Sequence, residues 1–143
     1  MIYLLTPLDI PRLWEPIKKA VKAAETVQDK DLPSYLTVLL HDLLSSEASC
    51  FARFDSEGTL EAIAIASILL NKTTHEKYMY IQTLFSWQIA PEEVWRRDID
   101  FIKRVAVNRE CSYIGCQSSN PRVWKIYEMI GMTEETRIFS LRV

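Results

Sequence analysis

The chain has 143 residues, of which 48% are hydrophobic and 25% charged, with a formal net charge of -2. That is enough for one domain with a real core and too little to expect two, so residues 1–143 are read as a single domain. Both signs of charge are interspersed, which leaves no basic stripe to follow a phosphate backbone and excludes nucleic acid as an expected partner. The start, Met1 to Pro7, lacks a basic, long-apolar leader, and the longest apolar run, Ala62 to Leu70, is broken by Ser67, so no membrane partner is expected. Cys50, Cys111 and Cys116 form an odd set without C-x-x-C spacing, against a disulfide framework and against zinc; a reducing cytoplasm is the expected location.

In chain order, Ile2 to Leu5 reads as a short strand closed by Thr6-Pro7, with Asp9 placed to cap a first turn. Pro16 costs about 3 kcal/mol inside a helix, so the regular helix is expected from Glu15 or Pro16 to Ala24, with Ile17, Ala20, Val21 and Ala24 inward and Ile10 to Trp14 as a separate turn. After the charged connector Asp29-Lys30-Asp31, Leu36, Leu39, Leu40, Leu43 and Leu44 mark a second helix at i, i+3, i+4, i+7, i+8. Ser49 to Phe54, Leu60 to Leu70 and Tyr78 to Trp87 then read as three strands of an antiparallel meander, with turns at Ser56-Glu57-Gly58 and Asn71 to Lys77. Pro91 opens a longer helix with Glu92 and Glu93 in its first turn and Ile99, Ile102, Val105 and Ala106 on its buried side.

The most informative stretch follows. A short strand, Tyr113 to Cys116, opens into the polar break Gln117-Ser118-Ser119-Asn120-Pro121 and then a helix ending at Gly131. Asn120 suits the N-cap, Pro121 the first helical position, and Gly131 the left-handed terminator. Val123, Ile126, Tyr127 and Ile130 share one face of that helix. Beyond it, Phe139, Leu141 and Val143 alternate with Ile138, Ser140 and Arg142 as one last strand. The expected order is βααβββαβαβ, an α+β fold with a mixed, mostly antiparallel sheet of about six strands and helices on both faces.

This order resembles the GNAT acetyltransferase superfamily. Its late helix commonly carries Asn, a small residue, Leu-Tyr, then Gly and an aromatic, and Asn120, Val123, Ile126-Tyr127 and Gly131-Met132 stand at those spacings. The resemblance implies acetyl transfer from acetyl-CoA to an amine, direct attack of the amine on the thioester, Asn120 against the pantetheine arm, and Tyr127 as the acid that protonates the departing thiolate.

The chain departs from that pattern in three places. The family's pyrophosphate loop sets bare backbone N–H groups at a helix N-terminus, and aligning Pro91-Glu92 places Val94, Arg97 and Ile99 in its three key slots. No glycine occurs between Gly58 and Gly115. Losing three charge-assisted hydrogen bonds of ~1.5 to 3 kcal/mol each removes roughly 5 to 9 kcal/mol, comparable with a micromolar complex. Arg96 and Arg97 are the candidates for restoring attraction to the phosphates, against repulsion from Glu92 and Glu93. Where many family members carry a carboxylate on the fourth strand, this chain offers Gln82, which cannot act as a base, with Glu76 in the preceding turn as a substitute. One closing strand stands in place of the family's usual pair, so part of an acceptor pocket is absent or supplied by a second subunit in a homodimer.

Each candidate also has a plainer reading. Tyr127 on an apolar face can be a core aromatic with its hydroxyl on a backbone carbonyl. Asn120 is a cap in either case. Cys116 beside the break reads as a small buried hydrophobe rather than a nucleophile, and His41 and His75 converge with no carboxylates, so no metal site is expected. Ser118 and Ser119 satisfy local backbone groups. Trp87, Trp95 and Trp124 border the cleft that the resemblance implies, and together would fill it or form a surface for a protein partner. The alternative function is therefore a noncatalytic binding module of the same fold, similar to small acetyltransferase-like proteins in some phage particles.

Overall fold

The computed structural model describes residues 1–25 and 27–143. Among these, the order is β1 (Ile2–Leu4), α1 (Ile10–Ala24), α2 (Leu32–Leu44), β2 (Ala48–Phe54), β3 (Leu60–Leu70), β4 (Lys77–Ser86), α3 (Glu92–Asn108), β5 (Tyr113–Cys116) and α4 (Pro121–Met129). The strands form one sheet in the order β1-β2-β3-β4-β5, antiparallel from β1 to β4 and parallel between β4 and β5. No helix among the described residues is long and apolar enough to cross a membrane.

Because side chains alternate along a strand, the sheet supports a separate core on each face. On one face Cys50, Ile63 and Ile65 pack with Ile10, Ile17, Ala20 and Val21 of α1 and Leu39 and Leu43 of α2. On the other, Phe51, Ala64, Ala66, Met79 and Ile81 pack with Ile99, Ile102 and Ala106 of α3. The α+β class, the meander and the two-sided helical cover agree with the sequence reading.

Two expectations are corrected. α1 is one helix from Ile10, running through Pro16. Ile10 and Ile17 are fully buried, with Leu13 and Trp14 packed on the same core, and burial of several such side chains at about 1.5–3 kcal/mol each outweighs the proline. The closing strand is not formed: after Gly131 the chain carries no regular element, Ile138, Phe139, Leu141 and Val143 are exposed, and the sheet has five strands. Alternation alone makes no strand, because both the ladder partners and the buried face must come from elsewhere in the fold. Leu44, expected inward on α2, is also largely exposed.

Candidate active site

The site begins with a bulge in β4. Ile65 pairs with Thr83 and Ala66 with Ile81, so Gln82 is an extra residue in β4. A bulge sets two residues against one and re-aims side chains. Here Gln82 and Thr83 both reach the α1/α2 side: Gln82 Nε2 donates to Tyr35 Oη at 3.2 Å, Gln82 Oε1 accepts from Ser67 Oγ at 3.0 Å, and Thr83 Oγ1 donates to Glu25 Oε1 at 2.7 Å. One step earlier the parallel pairing of β4 and β5 ends, at Ile81 and Cys116. β4 continues to Ser86 while the backbone beyond β5 turns off into α4, so a gap opens beside the bulge.

α4 closes one side of this gap. Its N-terminus is fixed as the sequence predicts: Asn120 accepts from Arg122 N at 3.0 Å, and Gly131 at φ +94° ends the helix. Tyr127 is the buried residue of the helix, and its hydroxyl lies beside the Cys116 thiol, whose Sγ contacts Met132 Sδ at 3.8 Å. Burial, then the neighbouring Cys116, raises the Tyr127 pKa further above an already high ordinary value. Burial also pushes the Cys116 thiol up to about 11, against a lowering contribution from Tyr127. At neutral pH both are protonated: Cys116 is no nucleophile, and Tyr127 is a donor. The role of Tyr127 as a free-standing acid is thereby narrowed, since a thiolate of ordinary pKa about 8.5 is too weak a base to take its proton outright. Its O–H is suited first to a hydrogen bond that stabilises negative charge on sulfur.

Tyr80 bridges the gap. Its hydroxyl donates to Gln117 Oε1 at 3.0 Å, and its pKa is raised by burial, then by Cys116 and Glu25. Glu25 is the residue sequence reasoning missed. α1 ends at Ala24, and Glu25 turns to extended backbone (φ -106°, ψ 147°), which directs its carboxylate to Thr83, with the Tyr35 hydroxyl nearby. Burial and then Glu25 raise the Tyr35 pKa, so that hydroxyl too stays protonated. The one sequence signal for Glu25 was an acid at the C-terminal end of a helix, where the dipole favours a cation.

The opposite face holds an apolar cavity of about 30 Å³ between α3, α4 and the sheet, lined by Ile81, Leu84, Trp95, Ile99, Ile126 and Tyr127 among others. That is space for a water or two. At its edge Arg53, 4% exposed, meets Asp98 at 3.0 Å and Glu61 at 3.3 Å, with the Trp95 ring 4.8 Å from its guanidinium carbon. Burial pushes Asp98 up to about 6 despite the lowering effect of Arg53. The three tryptophans each have their own neighbours, and none stacks on another among the described residues. Trp95 is buried beside Arg53; Trp87 stacks edge-on against Phe85, which packs on the α1/α2 core; Trp124 is half-exposed and donates to the Ser118 carbonyl.

The remaining candidates separate clearly. Arg96 and Arg97 are exposed on the first turns of α3, and Arg96 is tied to Glu92 at 2.6 Å. Glu76 lies exposed in the β3–β4 turn, five residues before Ile81 and so about 17 Å from the gap along an extended strand, too far to act as its base. His41 is exposed beside Asp42, and His75 occupies the same turn as Glu76 at φ 62°. Ser118 accepts from Asn120 N at 3.1 Å, a local turn contact. Among the described residues no three His, Cys, Asp or Glu converge to hold a metal.

For acetyl-CoA the fit divides along its length. At the thioester end stand the gap beside Gln82, the Tyr127 hydroxyl and the capped N-terminus of α4 at Asn120. The diphosphate end has no glycine cradle, and α3 presents Glu92 and Glu93 in its first turn, leaving Arg96 and Arg97 as the side chains available to hold it.

The chain has the GNAT-type acetyltransferase fold. Ribosomal-protein-alanine N-acetyltransferase from Brucella melitensis biovar Abortus superposes with a TM-score of 0.71 at 17% identity, over 100% of this chain and 99% of that one. An aminoglycoside N-acetyltransferase in complex with CoA gives 0.74 at 16% identity, covering 100% and 93%. A predicted acetyltransferase with acetyl-CoA from Clostridium acetobutylicum gives 0.74 at 13%, covering 99% and 95%. No protein-family model and no curated protein matches the sequence.

Proposed function

We propose that the protein transfers an acetyl group from acetyl-CoA to the amino group of an acceptor. The observation that carries this reading is the gap between β4 and β5, open beside the bulge at Gln82 and faced by the protonated Tyr127. Acetyl-CoA supplies the activated thioester. Asn120 holds the pantetheine arm at the α4 N-terminus, and Arg96 and Arg97 neutralise the diphosphate from side chains. As the acceptor nitrogen bonds to the acyl carbon and the carbon–sulfur bond breaks, the Tyr127 O–H donates to the departing sulfur, and the proton lost by nitrogen restores the balance on the thiol.

Calorimetric titration of the purified protein with acetyl-CoA, with CoA as a control, tests this. Micromolar binding, followed by release of free thiol with an amine panel, supports it; no binding at millimolar concentration overturns it. A second reading, a noncatalytic protein-binding module, is favoured by one specific observation: the absence of glycine from Gly58 to Gly115, with acids in the first turn of α3. The same titration separates the two.

A further inference from the structure

A carboxylate removed from water is ordinarily matched by a cation, because solvation lost on burial has to be replaced. Glu25, partly buried with one carboxylate oxygen shielded, is not matched. Its Oε1 accepts from Thr83, its Oε2 is shielded from solvent with no hydrogen-bond partner among the described residues, and none of the ion pairs among those residues includes it. Lys22, one turn back on α1, is exposed and unengaged with it. The position makes the deficit larger, since Glu25 follows the carbonyl end of α1, where the helix dipole is itself negative. The surrounding groups are uncharged: the hydroxyls of Tyr35, Tyr80 and Thr83 and the amide of Gln82. Two of them, Gln82 and Thr83, face this way because of the bulge that also marks the gap to Tyr127.

We propose that this corner of the α1/α2 face is the binding site for a primary ammonium group, with Glu25 as its counter-charge and proton acceptor. The acceptor role rests on the acetyl-transfer reading above; the cation site does not. The amine reacts from its neutral form with its lone pair toward the gap beside Gln82, and Glu25 takes the nitrogen's proton as the bond to the acyl carbon forms and the nitrogen loses its basicity. Aromatic rings of Tyr35 and Tyr80 suit the first methylenes of an alkyl amine, and the planar, five-donor guanidinium finds fewer acceptors here than it requires. A purely structural Glu25, held by Thr83 alone, is the competing account.

The test uses the full chain and n-butylamine, with n-butanol as the uncharged isostere. Saturable thermal stabilisation by the amine and not the alcohol is expected, with affinity falling roughly tenfold or more in Glu25→Gln and partly retained in Glu25→Asp. Glu25→Gln keeps an acceptor for Thr83, so its own melting temperature should stay near the parent's. Absence of saturable amine binding in the parent at millimolar concentration overturns the proposal, as does equal binding by Glu25→Gln. Acetyl-CoA titration is run on the same proteins. Amine binding without acetyl-CoA binding leaves the cation site standing and removes acetyl transfer. Acetyl-CoA binding with amine turnover unchanged in Glu25→Gln removes Glu25 from the acceptor site.

Discussion

The two faces of the sheet handle buried charge in opposite ways. On the α3/α4 face Arg53 is neutralised twice over, by Asp98 and Glu61, and covered by Trp95. On the α1/α2 face the partly buried Glu25 has uncharged neighbours, three hydroxyls and the Gln82 amide, and no cation among the described residues. The first arrangement is balanced in charge without a ligand and ties α3 to the sheet, although Arg53 Nε and Nη2 find no hydrogen-bond partner among the described residues. The second is incomplete, and it lies beside the bulge and the strand gap. The difference teaches where to look for function: in the charge that the fold leaves unanswered rather than in the one it answers.

The largest expected effect breaks the structural side of this comparison. Arg53→Met strands two partly buried carboxylates and should cost about 3–5 kcal/mol in urea unfolding. A loss below about 1 kcal/mol would mean the cluster is not what holds α3. On the functional side, Tyr127→Phe should lower acetyl-transfer turnover about 100-fold while leaving the unfolding midpoint near that of the parent. A change in stability without a change in turnover would return Tyr127 to the core.

Asp98 sharpens the comparison through pH. Its folded pKa, about 6, lies above the ordinary 3.8, so the folded state binds the extra proton across that window. This contribution to stability is full below 3.8 and is lost as pH rises through about 6. The stability of the parent relative to Asp98→Asn should therefore fall between pH 4 and pH 7; a flat difference would place Asp98 in a more solvated setting. Smaller again, Asn120→Ala should cost about 1 kcal/mol by removing the α4 cap. The smallest effect belongs to residues 133–143, whose removal should change stability by less than about 0.5 kcal/mol because their large apolar side chains are already exposed.

Much of the fold was legible in the sequence because its signals are local. Asn120, Pro121 and Gly131 bound α4, Leu39 and Leu43 orient α2, and the turns at Gly58 and Asn71 set the meander, each through backbone preference or periodicity within a few residues. Tyr127 was singled out by the family resemblance of its spacing, and in the fold it is the buried residue of α4. The errors have a common physical origin. Pro16 looked decisive locally and was overridden by burial of Ile10 and Ile17; Phe139 to Val143 looked like a strand and had no partner to pair with.

The sequence by itself therefore determined the order of elements from β1 to α4, most of the caps and turns that delimit them, and which helix face carries Tyr127. Only the tertiary structure decided that Gln82 is a bulge, that Trp95 packs on Arg53 rather than joining the other tryptophans, and that Glu25 meets Thr83 across 58 positions of sequence. The physical reason is separation along the chain. Periodicity and capping are written in neighbouring residues, whereas the partner of a buried charge is chosen by whatever the fold brings to within a hydrogen bond of it.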